Sequence, residues 1–465
     1  MTVVRLELSD RPLLGGQSFG EVGPYIESIG EAEFAVDPSH ALNQVITDLD
    51  LAPTAADGKV HFTADIRVLR PANEGYGNRG LFVDVPNRGN SVFMRMLEPG
   101  PMGPGTGVSD GWLLRRGFTV VTCGWQHDVP RRSAFGLSAP QTPAFGAVTG
   151  AGFLALRDLV SHLKRSNGLD FAIALGASQS GRFLRHMLYL GACEDEDAAL
   201  ALDGLLPVAA GARMTEANLR FGEPSSNGPK SSEFPYTDAE ILQRAIQRGK
   251  VPKVLHLNTS SEYWSSAALQ HVSAALCHVT PDQMHDLPLP PNVRMYLCAS
   301  TQHAPWPLEA PSDDRGVYPP NTIDYKPFVR AAVDNLAVWV HEGIAPPADA
   351  YPRFADGTLT EHLRPAVDSD GNELGGIRYP DVSVPLATYT GWNPSAGDHA
   401  ALVRALGSTI AFPPAKIAER YPTREMFLAA VRGAAEQLAA DRYILSEDID
   451  GIVRVSSQRW ALKHG

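Results

Sequence analysis

Six short apolar runs, separated by longer polar or helical stretches, constrain the fold of this chain more than any other feature. Runs of this length suit strands buried on both faces of a parallel sheet, where apolar and polar side chains need not alternate. The six runs begin at Gly80, Phe118, Phe171, Gly204, Val254 and Val293. We therefore expect a parallel sheet at the centre of the protein.

The stretches between these runs contain apolar residues at helical spacing. Residues 152–164, 182–190 and 325–341 each place leucine, valine or phenylalanine three and four positions apart. Buried strands that alternate with helices indicate an α/β protein with a doubly wound, mostly parallel sheet.

The beginning of the chain has a different pattern. The first 60 residues contain short alternating runs, which predict an N-terminal β-rich extension of antiparallel strands. His61–Leu69 alternates over a longer stretch and is interpreted as an edge strand. We predict two parts, an extension over 1–60 and an α/β domain over 61–465.

Two stretches interrupt the alternation of strands and helices. Residues 212–250 are polar and contain Gly, Ser and Pro, and residues 264–292 combine a short helical pattern with a Pro-rich end. Long insertions between core strands are often functional. We predict that both form cap segments over a site, the alternative being surface excursions without a role.

Charge and composition exclude several classes of protein. With 40 Lys and Arg against 52 Asp and Glu, the formal net charge is −12, so the basic footprint of a nucleic-acid-binding protein is missing. A hydrophobic fraction of 44% supplies a core.

No stretch reaches the ~18 apolar residues of a membrane span, and the first ten residues do not resemble a signal peptide. We expect a cytoplasmic protein without nucleic-acid or membrane partners; assembly of identical chains is compatible with the sequence.

The four cysteines are widely spaced, and none belongs to a Cys-x-x-Cys pair. Zinc and redox motifs therefore have little support. Cys123 and Cys298 lie at the ends of apolar runs and are predicted to be core thiols.

The segment from Phe171 to Gly181 has the form of a nucleophile elbow, in which an apolar strand turns sharply into a helix. The residues two before and two after the nucleophile must be small. Around Ser178 they are Gly176 and Ser180, whereas around Ser180 one of them would be the bulky Arg182. Ser178 is therefore the predicted nucleophile; the alternative is an ordinary serine at a helix N-cap.

The other members of such a site should follow in the order serine, acid, histidine. Glu262 follows the run that begins at Val254, and His303 follows the run that begins at Val293. Both lie just beyond the carboxyl end of a strand, where open α/β sheets gather their sites. His303 would take the proton of the serine hydroxyl, and Glu262 would orient the imidazole.

Other residues compete for these roles. His399 and His127 are alternative bases, and Asp128 is an alternative acid that lies upstream of Ser178. A metal hydrolase using His127, Asp128 and His399 is a further alternative, although these residues lack the usual ligand spacing.

An oxyanion hole needs backbone donors. The N–H of Gln179 is the first, and the stretch Asn87-Arg88-Gly89 after an earlier strand, with Asn87 and Arg88 as the preferred residues, is a candidate for the second; a simple turn there is the alternative. Side chains that follow strand ends are predicted to line a substrate pocket, unless they fill the core. These are Trp125, Gln126, Tyr263 and Trp306.

Taken together, these motifs resemble the α/β-hydrolase superfamily, and more narrowly a bacterial group known as α/β-hydrolase domain proteins. The resemblance covers nearly all of the chain, and its most specific piece is Ser178-Gln-Ser-Gly-Arg-Phe. The other segments are Gly15–Tyr25, Asp48–Pro53, Val85–Asn90, Gly124–Gln126, Glu262–Trp264, Gln302–His303 and Thr390–Asn393. The resemblance implies an α/β-hydrolase fold and a triad of Ser178, Glu262 and His303. The elbow departs from Gly-x-Ser-x-Gly at Ser180.

The sequence thus predicts a serine esterase or lactonase that acts on a small-molecule ester through an acyl-enzyme, without cofactor or metal. An amidase or an acyltransferase with the same triad is the nearest alternative. A catalytically silent binding protein on the same scaffold is the alternative from another class.

Overall fold

A computed structural model describes residues 2–97, 110–226, 237–264, 272–305, 308, 316–394 and 403–464. In chain order its strands are β1 (Val3–Pro12), β2 (Ser18–Phe19), β3 (Gly23–Val36), β4 (Val60–Pro71), β5 (Gly80–Asp84), β6 (Thr119–Cys123), β7 (Leu137–Ser138), β8 (Gln141–Thr142), β9 (Gly146–Ala147), β10 (Phe171–Ala177), β11 (Gly204–Val208), β12 (Lys253–Thr259), β13 (Val293–Cys298), β14 (Ala387–Thr390) and β15 (Ser408–Ala411). All six apolar runs of the sequence form strands, as predicted.

The described α-helices include the three that the sequence predicts, with ends that differ from the predicted limits by at most three residues. In chain order they are α1 (Phe93–Leu97), α2 (Trp112–Arg115), α3 (Ala151–Ser166), α4 (Gln179–Leu190), α5 (Asp238–Ile241), α6 (Gln243–Arg248), α7 (Ser260–Tyr263), α8 (Lys326–Glu342), α9 (Pro380–Ser383), α10 (Pro414–Arg420), α11 (Arg424–Ala440) and α12 (Ile449–His464).

One mixed sheet organises the molecule, with the strand order β1-β3-β4-β6-β5-β10-β11-β12-β13. The strands from β6 to β13 in this order pair in parallel, whereas β1, β3 and β4 pair antiparallel. The connection from β5 leads towards β4, and the connection from β10 leads the opposite way. The boundary between β5 and β10 is therefore the switch point, where open α/β sheets form their sites.

The N-terminal strands belong to this same sheet. β3 and β4 pair along their whole length, from Tyr25 with Pro71 to Val36 with Val60. β4 also pairs with β6, so the prediction that His61–Leu69 is an edge strand is wrong. Alternation of apolar and polar residues reports which face of a strand is buried, and it carries no information on whether both backbone edges are paired. The division at residue 60 stays a prediction.

Helices cover both faces of the sheet. Neighbouring residues of one strand point to opposite faces, so Phe82 packs in one core cluster and Leu81 and Val83 in the other. The first cluster includes side chains of α8, α10 and α11, and the second includes side chains of α3 and α4. This is the doubly wound α/β arrangement that the sequence predicts.

The C-terminal helices join the α8 side of the molecule. Arg330 of α8 approaches Asp448 at 3.2 Å, and Arg459 of α12 approaches Asp381 of α9 at 2.6 Å. All four cysteines are buried free thiols that form no disulfide. This confirms that Cys123 and Cys298 are core thiols. Among the described residues, none of the helices has the length and apolar character needed to cross a membrane.

Candidate active site

Ser178 occupies the sharp turn between β10 and α4. Its backbone has φ 56° and ψ −114°, a sparsely populated conformation for a residue with a side chain. Hydrogen bonds hold it on both sides, because its N–H donates to Val208 O at 2.9 Å and its carbonyl accepts from Arg182 N at 2.9 Å. A Cβ atom at Gly176 would lie 2.4 Å from the carbonyl oxygen of Ser180. The turn therefore requires a glycine two residues before Ser178, as the elbow motif demands.

The hydroxyl of Ser180 is enclosed within this turn. Its Oγ accepts from Ala177 N at 2.9 Å and donates to Ala177 O at 3.1 Å, and the residue is fully buried. Ser180 thus closes the turn from inside, and Ser178 is the serine whose hydroxyl meets the other predicted site residues.

Those residues converge at the carboxyl edge of the sheet. His303 Nε2 lies 2.9 Å from Ser178 Oγ, and His303 Nδ1 lies 2.6 Å from Glu262 Oε1. A carboxylate only accepts hydrogen bonds, so in the neutral imidazole Nδ1 carries the proton and Nε2 accepts from the serine. This is the chain of nucleophile, base and orienting acid that activates a hydroxyl.

A capping box fixes Glu262 in the short helix α7. Its Oε2 accepts from Thr259 N at 2.8 Å and from Thr259 Oγ1 at 2.6 Å. The side chain is 0% exposed. One carboxylate oxygen therefore anchors the residue to the end of β12, while the other remains directed at His303.

The main chain of His303 is held independently of its ring. Tyr325 Oη donates to His303 O at 2.8 Å, and His303 N donates to Ala405 O at 3.1 Å. Both contacts come from segments far along the chain, so the position of the imidazole depends on the C-terminal part of the domain.

The predicted oxyanion donors differ in whether their backbone N–H is already hydrogen bonded. Within the described part of the chain, the N–H of Gln179 at the start of α4 has no acceptor. The N–H of Asn87 donates to Asn90 O at 2.8 Å within a tight turn, and its side chain donates to Ala177 O at 3.0 Å. The prediction that Asn87 supplies a backbone donor is therefore wrong. Arg88, with φ 50°, stays a prediction.

A comparison with known protein families identifies the family of this chain. A family model described as "Alpha/beta hydrolase domain" matches residues 138–454, more than half of the chain. The chain belongs to the α/β-hydrolase domain family. The match begins after several segments of the resemblance, and the likeness to the narrower bacterial group stays a prediction. The search among curated proteins found no significant match to this chain.

Solved structures with some similarity to this α/β-hydrolase include two esterases. A thermostable esterase from Pseudomonas putida is 13% identical with a TM-score of 0.27, and the match covers 50% of this chain and 64% of that one. A rice cell wall degrading esterase from Xanthomonas oryzae is also 13% identical with a TM-score of 0.27, with 45% and 50% covered. The chain thus spans less than two thirds of the length of either structure.

The predicted pocket residues are not all placed around the α/β-hydrolase site. Gln126 is close, because its Nε2 donates to Gln179 Oε1 at 3.0 Å. Trp125 is fully buried against Phe183, with its Nε1 donating to Pro86 O at 2.7 Å. Tyr263 is also buried, and its hydroxyl meets His278 Nε2 at 3.0 Å. Trp125 and Tyr263 therefore pack in the core and do not line a pocket; Trp306 lies outside the described residues.

The two predicted cap segments are placed differently. Around Pro224 and Ser225 the first segment contacts two predicted oxyanion residues, since Gln179 Nε2 donates to Pro224 O and Arg88 Nε donates to Ser225 O at 3.0 Å; its role as a cap stays a prediction. Its helix α5 instead packs on α4, where Asp238 pairs with Arg185 at 3.2 Å. The described end of the second segment packs against Leu359 and Leu363.

Of the competing residues, Asp128 is hydrogen bonded to the first predicted cap segment. Asp128 Oδ2 accepts from the N–H and the hydroxyl of Ser225, at 2.8 and 2.7 Å. Burial lowers the pKa of His127, and His399 lies outside the described residues. Within the described ranges, no three His, Cys, Asp or Glu side chains are grouped as metal ligands would be.

One residue of this region, Glu373, was not predicted from the sequence. Its carboxylate accepts from Ser300 N at 2.6 Å, from Trp264 Nε1 at 3.2 Å and from the hydroxyl of Ser260. Burial raises the pKa of this carboxyl, and the three donors oppose that shift. Glu373 thereby connects the loop of Glu262 to the loop of His303.

Proposed function

We propose that this α/β-hydrolase is a serine hydrolase that cleaves carboxylic esters, lactones included, through an acyl-enzyme. One observation carries the proposal: His303 Nε2 lies 2.9 Å from Ser178 Oγ while its Nδ1 lies 2.6 Å from Glu262. A serine hydroxyl becomes a competent nucleophile when a positioned base can take its proton.

In the first half of the reaction, the proton of the Ser178 hydroxyl moves to His303 Nε2 as Oγ attacks the ester carbonyl carbon. The negative charge that develops on the carbonyl oxygen is stabilised by the N–H of Gln179, with Arg88 N–H as the second donor. Collapse of this intermediate breaks the bond to the alcohol oxygen, which takes the proton from His303. The product is an acyl group on Ser178, and the buried Glu262 stabilises the imidazolium during both transfers.

In the second half, water replaces the alcohol. His303 removes a proton from the water as its oxygen attacks the acyl carbon, and the same imidazolium returns the proton to Ser178 Oγ when the acid leaves. Transfer to an amine or another alcohol in place of water would make the chain an acyltransferase, and an amine as leaving group would make it an amidase.

The test compares the two serines of the elbow. A fluorophosphonate probe should label the wild type and Ser180→Ala but not Ser178→Ala, because only Ser178 Oγ is bonded to the base. Turnover of a panel of esters, lactones and amides should fall at least about 10³-fold in Ser178→Ala. Unchanged ester turnover in Ser178→Ala, together with an unlabelled wild type, would refute the proposal.

A further inference from the structure

Three arginines follow the carboxyl ends of three neighbouring strands, at the edge of the sheet where the elbow lies. Arg88 follows β5, Arg182 lies in the first turn of α4 after β10, and Arg213 follows β11. Their charges interact, because Arg213 and Arg88, together with burial, lower the pKa of Arg182 to about 10. In a chain with a formal net charge of −12, this is a local concentration of positive charge at the edge of the sheet that carries Ser178.

Two of these arginines are bound to neighbouring groups. Arg88 Nε donates to Ser225 O at 3.0 Å and Arg88 Nη1 to Asn87 Oδ1 at 3.2 Å. Arg213 Nη2 lies 3.7 Å from Glu216 Oε1. These contacts hold both guanidinium groups to neighbouring groups of the chain.

Arg182 differs from them. Within the described ranges its guanidinium makes no hydrogen bond and no close ion pair, although the residue is only partly accessible. A guanidinium offers five N–H donors, and their charge and planar arrangement suit an anionic acceptor. Such a group is set up to receive an acceptor from outside the chain.

The position of Arg182 ties it to the elbow, because Arg182 N donates to Ser178 O at 2.9 Å. The Cα–Cβ bonds of a helix tilt towards its N-terminus, which in α4 is the end that carries Ser178. Arg182 comes four residues after Ser178, and Glu262 is among the charges that act on it. Two carboxylates act on the charge of Arg182, and each has closer partners. Glu216 lies 3.7 Å from Arg213, and Glu262 is hydrogen bonded to Thr259 and His303.

We propose that the substrate cleaved at Ser178 carries a carboxylate, which Arg182 binds through a pair of parallel hydrogen bonds while Arg88 and Arg213 add positive charge. This inference rests on the proposed esterase function and specifies its substrate class. The guanidinium fork matches a carboxylate in geometry and charge. Half-esters of dicarboxylic acids and lactones with a free carboxylate belong to this class.

The experiment uses matched esters and the full chain. Monomethyl adipate is compared with methyl 6-methylheptanoate, in which an isopropyl group replaces the carboxylate, and half-esters from succinate to suberate vary the spacing. For the best half-ester we expect kcat/KM at least about 10-fold above that of its neutral isostere, the scale of one charged hydrogen bond. Adipate dianion should also inhibit hydrolysis of the neutral ester competitively.

Variants assign the effect to Arg182. Arg182→Gln should abolish the preference for the half-ester, and Arg182→Lys should retain part of it, since an ammonium is a point charge without the fork. Arg432→Gln is the control, because Arg432 is exposed and pairs only with Asp450 at 2.8 Å among the described residues; it should keep the full preference. Probe labelling of Ser178 and thermal unfolding verify that each variant is folded.

The outcomes separate the two proposals. If Ser178 is labelled and the wild type hydrolyses the isostere as fast as every half-ester, the carboxylate inference is overturned while the esterase proposal stands. If Ser178 is unlabelled and no ester is hydrolysed, both fall. A preference that survives in Arg182→Gln also overturns the role of Arg182.

Discussion

Glu373 and Ser300 are hydrogen bonded to each other in both directions. Ser300 N donates to Glu373 Oε2 at 2.6 Å, and Glu373 N donates to Ser300 Oγ at 2.8 Å. The same carboxylate accepts from Ser260, two residues before Glu262. Since Ser300 lies three residues before His303, Glu373 holds together the two loops that carry the proposed acid and base.

We predict that Glu373→Ala lowers kcat at least about 10-fold with little change in KM, because the loops would shift relative to each other while the substrate contacts remain. The variant leaves three buried donors without their acceptor, so the free energy of unfolding should fall by roughly 2–5 kcal/mol. Glu373→Gln keeps one acceptor oxygen and should therefore retain part of the kcat and part of the free energy of unfolding that Glu373→Ala loses. Steady-state kinetics and urea unfolding measure these effects. An equal loss of kcat in both variants would contradict a positioning role through these hydrogen bonds.

Gly176→Ala should remove activity and prevent probe labelling, because the new methyl group would meet the carbonyl of Ser180 at 2.4 Å. Neither atom can move without opening the turn that presents Ser178. Gly433→Ala is the matched control, since nothing lies within 4 Å of its Cβ position in the middle of α11. That change should raise the free energy of unfolding by up to about 1 kcal/mol and leave labelling intact. Normal labelling of Gly176→Ala would disprove the steric argument.

Stability at acid pH should depend on His186. This residue is buried between helices, 5.0 Å from the ring of Phe153 between centroids, and burial lowers its pKa from 6.5 to about 3. Between these two pKa values, His186 is protonated in the unfolded chain and neutral in the folded chain. The contribution of His186 is complete above pH 6.5 and falls by about 1.4 kcal/mol for each unit below it, until the pH reaches the folded pKa.

His186→Gln should therefore weaken the pH dependence of unfolding between pH 6.5 and 4, whatever its effect at pH 7.5. Urea unfolding of both proteins across this range measures the difference in slope. The exposed His362, with 75% of its side chain accessible, provides the control substitution His362→Gln. Identical slopes for the wild type and His186→Gln would contradict the prediction.

The sequence was informative where local chemistry and chain order coincide. The elbow could be predicted because the steric requirements at Gly176 and Ser180 act within five residues. The central strands could be predicted because their runs are apolar on both faces. Glu262 and His303 follow from strand ends at a common edge. Their meeting with Ser178, however, depends on the packing of whole helices.

Other features depend on contacts that no local pattern encodes. Glu373 is 113 residues from Ser260 and 73 from Ser300, and nothing around it distinguishes it from a surface glutamate. Trp125 and Tyr263 follow strand ends as pocket residues would, yet their rings turn into the core. The pairing of β4 with β6 likewise follows from topology, because two strands with the same alternation can lie inside a sheet or at its border.

The two borders of the sheet are closed by different means. β1 has its outer residues largely exposed and carries Arg5, Glu7, Asp10 and Arg11, charges that oppose pairing with a strand from another molecule. On the far side, β13 is met by the chain itself, where Tyr296 bridges to Ala350 and Cys298 to Ile377. Growth of the sheet from molecule to molecule is therefore discouraged at both ends. If copies of this chain associate, they should do so through helices and loops, and the strands should keep their partners.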